Sequence, residues 1–122
     1  MSAFVVSMSL LLSTSVHAVT PVGQWLDGNY ATGFCSYNST DCSGTTGYIA
    51  NRTKTVKVYA YASYGANYFY YGSNSGSAYG STVASAYVGV ASPYTAIGTK
   101  AEHTAIGTTH SWKDTSSTGY TE

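Results

Sequence analysis

Two stretches of the chain alternate small apolar and polar residues with a period of two. In "TVKVYAYAS" (55–63), Val56, Val58, Ala60 and Ala62 share one parity, while Thr55, Lys57, Tyr59, Tyr61 and Ser63 share the other. Successive side chains of a strand point to opposite faces, so the pattern predicts a strand with a small inner face and a Tyr/Lys outer face. "STVASAYVGVAS" (81–92) repeats it, with Ala84, Ala86, Val88 and Val90 opposed to Val83, Ser85, Tyr87 and Gly89. Matching small inner faces predict close packing of the two strands against a shared aromatic layer.

The uncharged tract "YASYGANYFYYGSNSGSAYGS" (61–81) spans the region between them. "ANYFYYG" reads as a strand with rings on both faces, Tyr68 and Tyr70 against Phe69 and Tyr71, and "SNSGSAYG" as a turn-rich connection. The competing reading is a self-assembling low-complexity tract, as in an extracellular matrix subunit. Elsewhere the pattern is less regular. Asp27-Gly28 and Gly33 are turn signals around Trp25 and Tyr30. "TAIGT" occurs at 95–99 and again at 104–108, an offset of nine that puts the copies on opposite faces of a continuous strand. They share an environment only if the chain turns or bulges, and "KAEH" between them is a plausible hairpin loop. The polar tail, residues 115–122, is expected to fray.

Composition then narrows the class. "MSAFVVSMSLLLSTSVHA" (1–18) has an apolar run followed by small polar residues and ends on Val16-His17-Ala18, the small-x-small pattern of a signal peptide, although its first residues carry no Lys or Arg. The run falls short of the about 20 apolar residues of a membrane span. Residues 19–122 are then expected to be a single β domain, secreted or extracellular, or periplasmic. In that part Leu, Ile, Val and Phe are only about one residue in eight, so apolar area must come from Tyr, Trp25, Trp112, Phe34 and Phe69. Five basic residues balance five acidic ones, which argues against nucleic acid or an anionic membrane as partner. Arg52, Lys54 and Lys57 form one basic cluster and read as a solvated strand edge. Cys35 and Cys42 are the only cysteines, and in an exported chain they predict one disulfide worth roughly 2–3 kcal/mol.

No motif carries catalysis. A triad drawn from His103, His110, Glu102 and Asp114 lacks a distinctive nucleophile, since "GSNSG" (72–76) has Asn74 where an elbow needs Ser. Asp27 and Asp41 sit in turn contexts rather than as paired carboxylates. Two His seven apart match no metal-ligand spacing, and neither metal nor cofactor is expected. Asn38 and Asn51 fit the glycosylation acceptor pattern of a eukaryotic secretory pathway. The strongest signal is outward Tyr, Ser and Thr: flat rings stack on sugars and hydroxyl groups hydrogen-bond their edges. The candidates are Tyr59, Tyr61, Tyr68, Tyr70, Tyr87 and Trp112, to be divided between core and surface.

"GQWLDGNYATG" (23–33), with the leader, the small size and the Ser/Thr/Tyr strands, is similar in composition to the lactococcin-type secreted bacteriocins. No residue-by-residue motif is shared, and the cysteine pair is a departure. The resemblance implies a small β-sandwich acting on the cell envelope of competitors. From the residues themselves the expectation is an all-β protein, a small antiparallel sandwich. Its expected role is non-enzymatic, presenting Tyr, Ser and Thr to a glycan, a cell-surface component or a protein partner.

Overall fold

The computed structural model describes residues 17–18, 20–80 and 83–122. Nine strands follow one another, with no helix among the described residues: β1 (His17–Ala18), β2 (Val22–Leu26), β3 (Asn29–Tyr37), β4 (Asp41–Gly47), β5 (Lys54–Tyr64), β6 (Asn67–Ala78), β7 (Val83–Gly89), β8 (Thr95–Ile106) and β9 (Ser111–Gly119). They make two antiparallel sheets, as the alternation predicts. In the first, β1 and β2 run along β3, followed by β4 and β7; the order in the second is β6-β5-β8-β9. Except for its final two residues, His17 and Ala18, the expected leader lies outside the described residues.

Turn chemistry sets the hairpins. Asp27 and Gly28 both have positive φ, 53° and 82°, the backbone of the two-residue I′ turn that "DG" favours. Gly65, at φ 61°, takes the first place of the Gly65-Ala66 loop between β5 and β6, where a left-handed residue is needed.

The parity of β5 and β7 is the parity of burial. Val56, Val58, Ala60 and Ala62 are buried on β5, as are Ala84 and Ala86 on β7, with Val90 just beyond it. These strands belong to opposite sheets and face each other across one core, which Cys35, Cys42, Ala96 and Ala101 complete. A second cluster holds Leu26, Ala31, Tyr48, Ala105 and Trp112. The first core is thin because its side chains are small: a Cβ on Gly44 would lie 2.7 Å from Val58 Cγ2 and 3.0 Å from Ala101 Cβ.

Several expectations are corrected. "SNSGSAYG" is no loop, since β6 runs through it and pairs with β5 from Lys54↔Ala78 to Tyr64↔Asn67. The long β5 offers a full edge, and β6 fits it by bulging at Tyr71, which has no partner between Ala60↔Gly72 and Tyr61↔Tyr70. "KAEH" lies within β8 rather than in a hairpin loop, its residues alternating outward and inward like the rest of the strand. The bulge falls inside the first "TAIGT" instead, where Ile97 is skipped between Gly98 and Ala96 opposite β5. One extra residue reverses the parity, so Ala96 and Ala105 both point inward despite their odd offset. The tail through Gly119 is strand β9, zipped to β8 from Gly98↔Gly119 to Ile106↔Ser111.

The basic cluster divides by parity. Arg52 and Lys57 are exposed, whereas Lys54 shares the register of Val56 and is 0% exposed. Its ammonium donates to the carbonyls of Ala50 (3.2 Å) and Gly80 and lies 6.0 Å from the Tyr48 ring centroid. Burial pulls its pKa down.

The disulfide is absent: Cys35 and Cys42 are free and buried. Both point inward, but Cys35 is opposite Gly44 and Cys42 opposite Tyr37, so they are diagonal neighbours. Diagonals stand about 7–8 Å apart, past the roughly 7 Å reach of a bridge. The thiols point across the core at β8, Cys42 to the Gly98 carbonyl at 3.5 Å and Cys35 to that of Thr99 at 3.9 Å. Desolvation pushes the Cys42 thiol up to about 11 and raises that of Cys35, so neither forms a thiolate near neutral pH. Alkylation should therefore leave both cysteines unmodified in the native protein and label two in denaturant without prior reduction; a mass showing one bridge would contradict this register. A methyl group at position 33 would run into the His103 ring. Gly33→Ala should accordingly lose about 1–3 kcal/mol in urea unfolding.

Candidate functional site

The outer face of the second sheet can be read off its register. From β6 through β5 and β8 to β9, one row is Ser77, Thr55, Thr104, Lys113. The next is Ser75, Lys57, Glu102, Thr115, and the third Ser73, Tyr59, Lys100, Ser117. Beyond the bulges come Tyr70 and Tyr61 beside Gly98 and Gly119, then Tyr68 and Ser63. No Val, Leu or Ile stands in these rows. One half is hydroxyl and charge, the other tyrosine.

The tyrosines meet edge to face. Tyr61 lies between Tyr70 (5.9 Å between centroids) and Tyr120 (6.0 Å), and Tyr68 meets Tyr120 at 5.1 Å. Such pairs contribute about 0.5–1.5 kcal/mol each beyond burial. They leave Tyr61 only 3% exposed, whereas Tyr68 and Tyr70 keep 57% and 44%. Tyr120 reaches the cluster because Gly98 and Gly119 have no side chains: a Cβ on Gly98 would collide with the Tyr120 carbonyl. Next to the rings, Tyr59 donates its hydroxyl to Glu102 Oε1 at 2.9 Å. The ammonium groups of Lys57 and Lys100 lie 5.2 Å and 4.9 Å from its ring centroid. Alongside is a concavity of about 380 Å³ lined by Thr55, Lys57, Ser75, Ser77 and Glu102 over the backbone of Val56 and Gly76.

Of the six rings proposed from sequence, Tyr59, Tyr61, Tyr68 and Tyr70 thus belong to one surface, Tyr61 as its buried support. Tyr87 is exposed on the outer face of the first sheet. Trp112 is a core residue, 3% exposed and stacked 6.2 Å from His103 at an interplanar angle of 15°. Conversely Trp25 and Phe34, expected inside, are 68% and 38% exposed. Tyr120, Lys100 and the serines of β6 were not anticipated. The serines had a signal, since Ser73, Ser75 and Ser77 alternate with period two inside the supposed loop. Asn38 folds its side chain back, Oδ1 accepting from the amides of Thr40 and Asp41 at 2.9 Å each. Asn51 is exposed in the connection from β4 to β5.

The histidines do not converge. His110 is exposed in the β8–β9 turn, while His103 is 0% exposed between the sheets. Thr46 Oγ1 donates to the Thr55 carbonyl at 2.8 Å, so it accepts from His103 Nδ1 at 2.8 Å. Nε2 is then an acceptor, and Ser116 Oγ donates to it at 2.7 Å. This Ser–His pair has the spacing of a nucleophile and its base, but Ser116 is 2% exposed and the third partner is a hydroxyl, not a carboxylate. Its geometry is that of a core network. Among the described residues no three of His, Cys, Asp and Glu gather as a metal site, and no helix is long and apolar enough to cross a membrane.

These features define a class by fold and surface: a two-sheet all-β protein with a tyrosine and hydroxyl face. Compared with known proteins, the chain matches no family model, no curated protein and no solved structure.

Burial lowers the His103 pKa to about 4, against a smaller upward pull from Asp114. The unfolded chain, with an imidazole near 6.5, binds the proton more readily. The His103 contribution is therefore complete above about pH 6.5, declines as pH falls towards 4, and levels off below, a loss of at most about 3 kcal/mol. Urea unfolding at pH 7 and pH 4.5 should show this decline in the wild type and a smaller one in His103→Gln.

Proposed function

We propose that this is a secreted, non-enzymatic binding protein whose outer face on the second sheet engages a glycan. The observation that carries the reading is the pairing of Tyr68 and Tyr70, exposed rings on a supported platform, with rows of Ser and Thr hydroxyls bordering a concavity. The exposed rings supply apolar area for a sugar face at low entropy cost. Ser73, Ser75, Ser77 and Thr55 supply donors and acceptors for its hydroxyl groups. Export rests on the leader-like residues 1–18.

A second reading, an envelope-directed toxin, is favoured by one observation on the other sheet. The β2–β3 hairpin exposes Trp25 and Tyr30, in edge contact at 5.3 Å, on the face that carries Phe34 and Val83. Loss of growth inhibition of neighbouring strains in Trp25→Ala would favour it over glycan binding.

On a glycan array, Tyr68→Ala and Tyr70→Ala should each weaken binding about tenfold, as expected for losing one stacked ring. Near-UV circular dichroism should show the remaining rings still ordered. Undiminished array binding by both variants would remove this face from consideration.

A further inference from the structure

The chain is electrically balanced, but its charges are segregated. Of the basic residues, Lys54 is buried and Arg52 lies in a connection, while Lys57, Lys100 and Lys113 all project from the outer face of the second sheet. Of the acidic residues only Glu102 belongs to those rows. Asp114 has the inward register of Trp112 and Ser116, and Asp27, Asp41 and Glu122 lie elsewhere in the chain. Glu102 accepts the Tyr59 hydroxyl. Among the described residues neither Lys57 nor Lys100 forms an ion pair within 4 Å, although Glu102 faces Lys57 across the strands, and both ammonium groups pack on the Tyr59 ring. Three ammonium groups thus stand on this face against the single carboxylate of Glu102, and two of them pack on the Tyr59 ring, leaving the face with an excess of positive charge.

We infer that the ligand of this face is a polyuronate, a polysaccharide with carboxylates on its sugar rings. The inference rests on the glycan-binding reading above and specifies its ligand. Tyr59 is unsuited to stacking because the ammonium groups lie against it, so the sugar ring belongs on the exposed Tyr70. The two ring centroids are 6.3 Å apart, which brings the edge of a sugar on Tyr70 to the cations at Tyr59. A uronic acid bears its carboxylate directly on a ring carbon, at that edge. A sulfate or phosphate ester instead stands off on a rotatable C–O arm, so its charge is not fixed at that edge. Strands about 4.8 Å apart with a rise near 3.4 Å per residue spread the three lysines over roughly 8–14 Å, a span suited to a short run of linked sugars.

Titration calorimetry with polygalacturonate, dextran sulfate and a neutral β-glucan tests this on the full chain. Polygalacturonate should bind at low salt, weaken steeply as salt rises, and lose about three- to tenfold in each of Lys57→Gln and Lys100→Gln. Urea unfolding should show both variants still cooperatively folded, within about 1 kcal/mol of the wild type. Polygalacturonate affinity that is indifferent to both substitutions, or dextran sulfate bound in preference to it, would overturn the inference. Neutral glucan bound through Tyr68 and Tyr70 with the lysines silent would overturn it while keeping the glycan face. If Tyr68→Ala and Tyr70→Ala change binding of none of the polymers, the glycan reading falls with it.

Discussion

The closeness of the two sheets is the constraint on which the rest depends. Inward positions of the first core on β4, β5, β7 and β8 include Gly44, Cys42, Ala84, Ala86, Ala96, Ala101 and the Val/Ala series of β5. With so little volume between the layers, the rings that pack against this core, Tyr37, Phe69 and Tyr71, are only partly buried, and a strand that turns a small residue inward must turn its neighbour outward. Tyr59 and Tyr61 of β5 and Tyr68 and Tyr70 of β6 therefore lie outside, where they pack among themselves and with Tyr120, while Phe69 and Tyr71 of β6 pack against the first core. The aromatic face and the thin core are two sides of the same alternation.

Where the core does hold polar groups, each one is matched. His103 lies against Gly33, the one neighbour on β3 with no side chain to displace, and both its nitrogens have hydroxyl partners. It joins the two apolar clusters, stacking on Trp112 of one and reaching towards Cys35 of the other through Ser116. Lys54 buries its ammonium under two carbonyls and so ties the connections after β4 and β6 to the end of β5. No buried side-chain nitrogen or oxygen among the described residues lacks a partner. Unmatched, each would cost about 1–3 kcal/mol.

Period-two alternation made β5 and β7 legible, down to which residues are buried, and "DG" marked its hairpin. What failed to show were features set by neighbours. Nothing local in "SNSGSAYG" says that an eleven-residue partner strand is waiting, although its serines already alternate. Parity arguments stop at a bulge, and the bulges at Tyr71 and Ile97 are adjustments to β5 rather than properties of their own segments. The cysteines were paired from their number and spacing in a chain expected to be exported, yet a two-residue offset in register keeps them apart. Tyrosine was the hardest residue to assign, because it suits either side of a strand: Tyr48 is core, Tyr61 is covered by its fellows, and Tyr68 is open.

The placement of β9 governs when the molecule can become whole. Trp112 and Ser116 fill the interior from this strand, and Tyr120 just beyond it props the rings of Tyr61 and Tyr68. On the ribosome β9 emerges after every strand it completes, so the nascent protein carries an open flank and a histidine short of a partner until then. Its aromatic face is assembled at the same late moment as its interior.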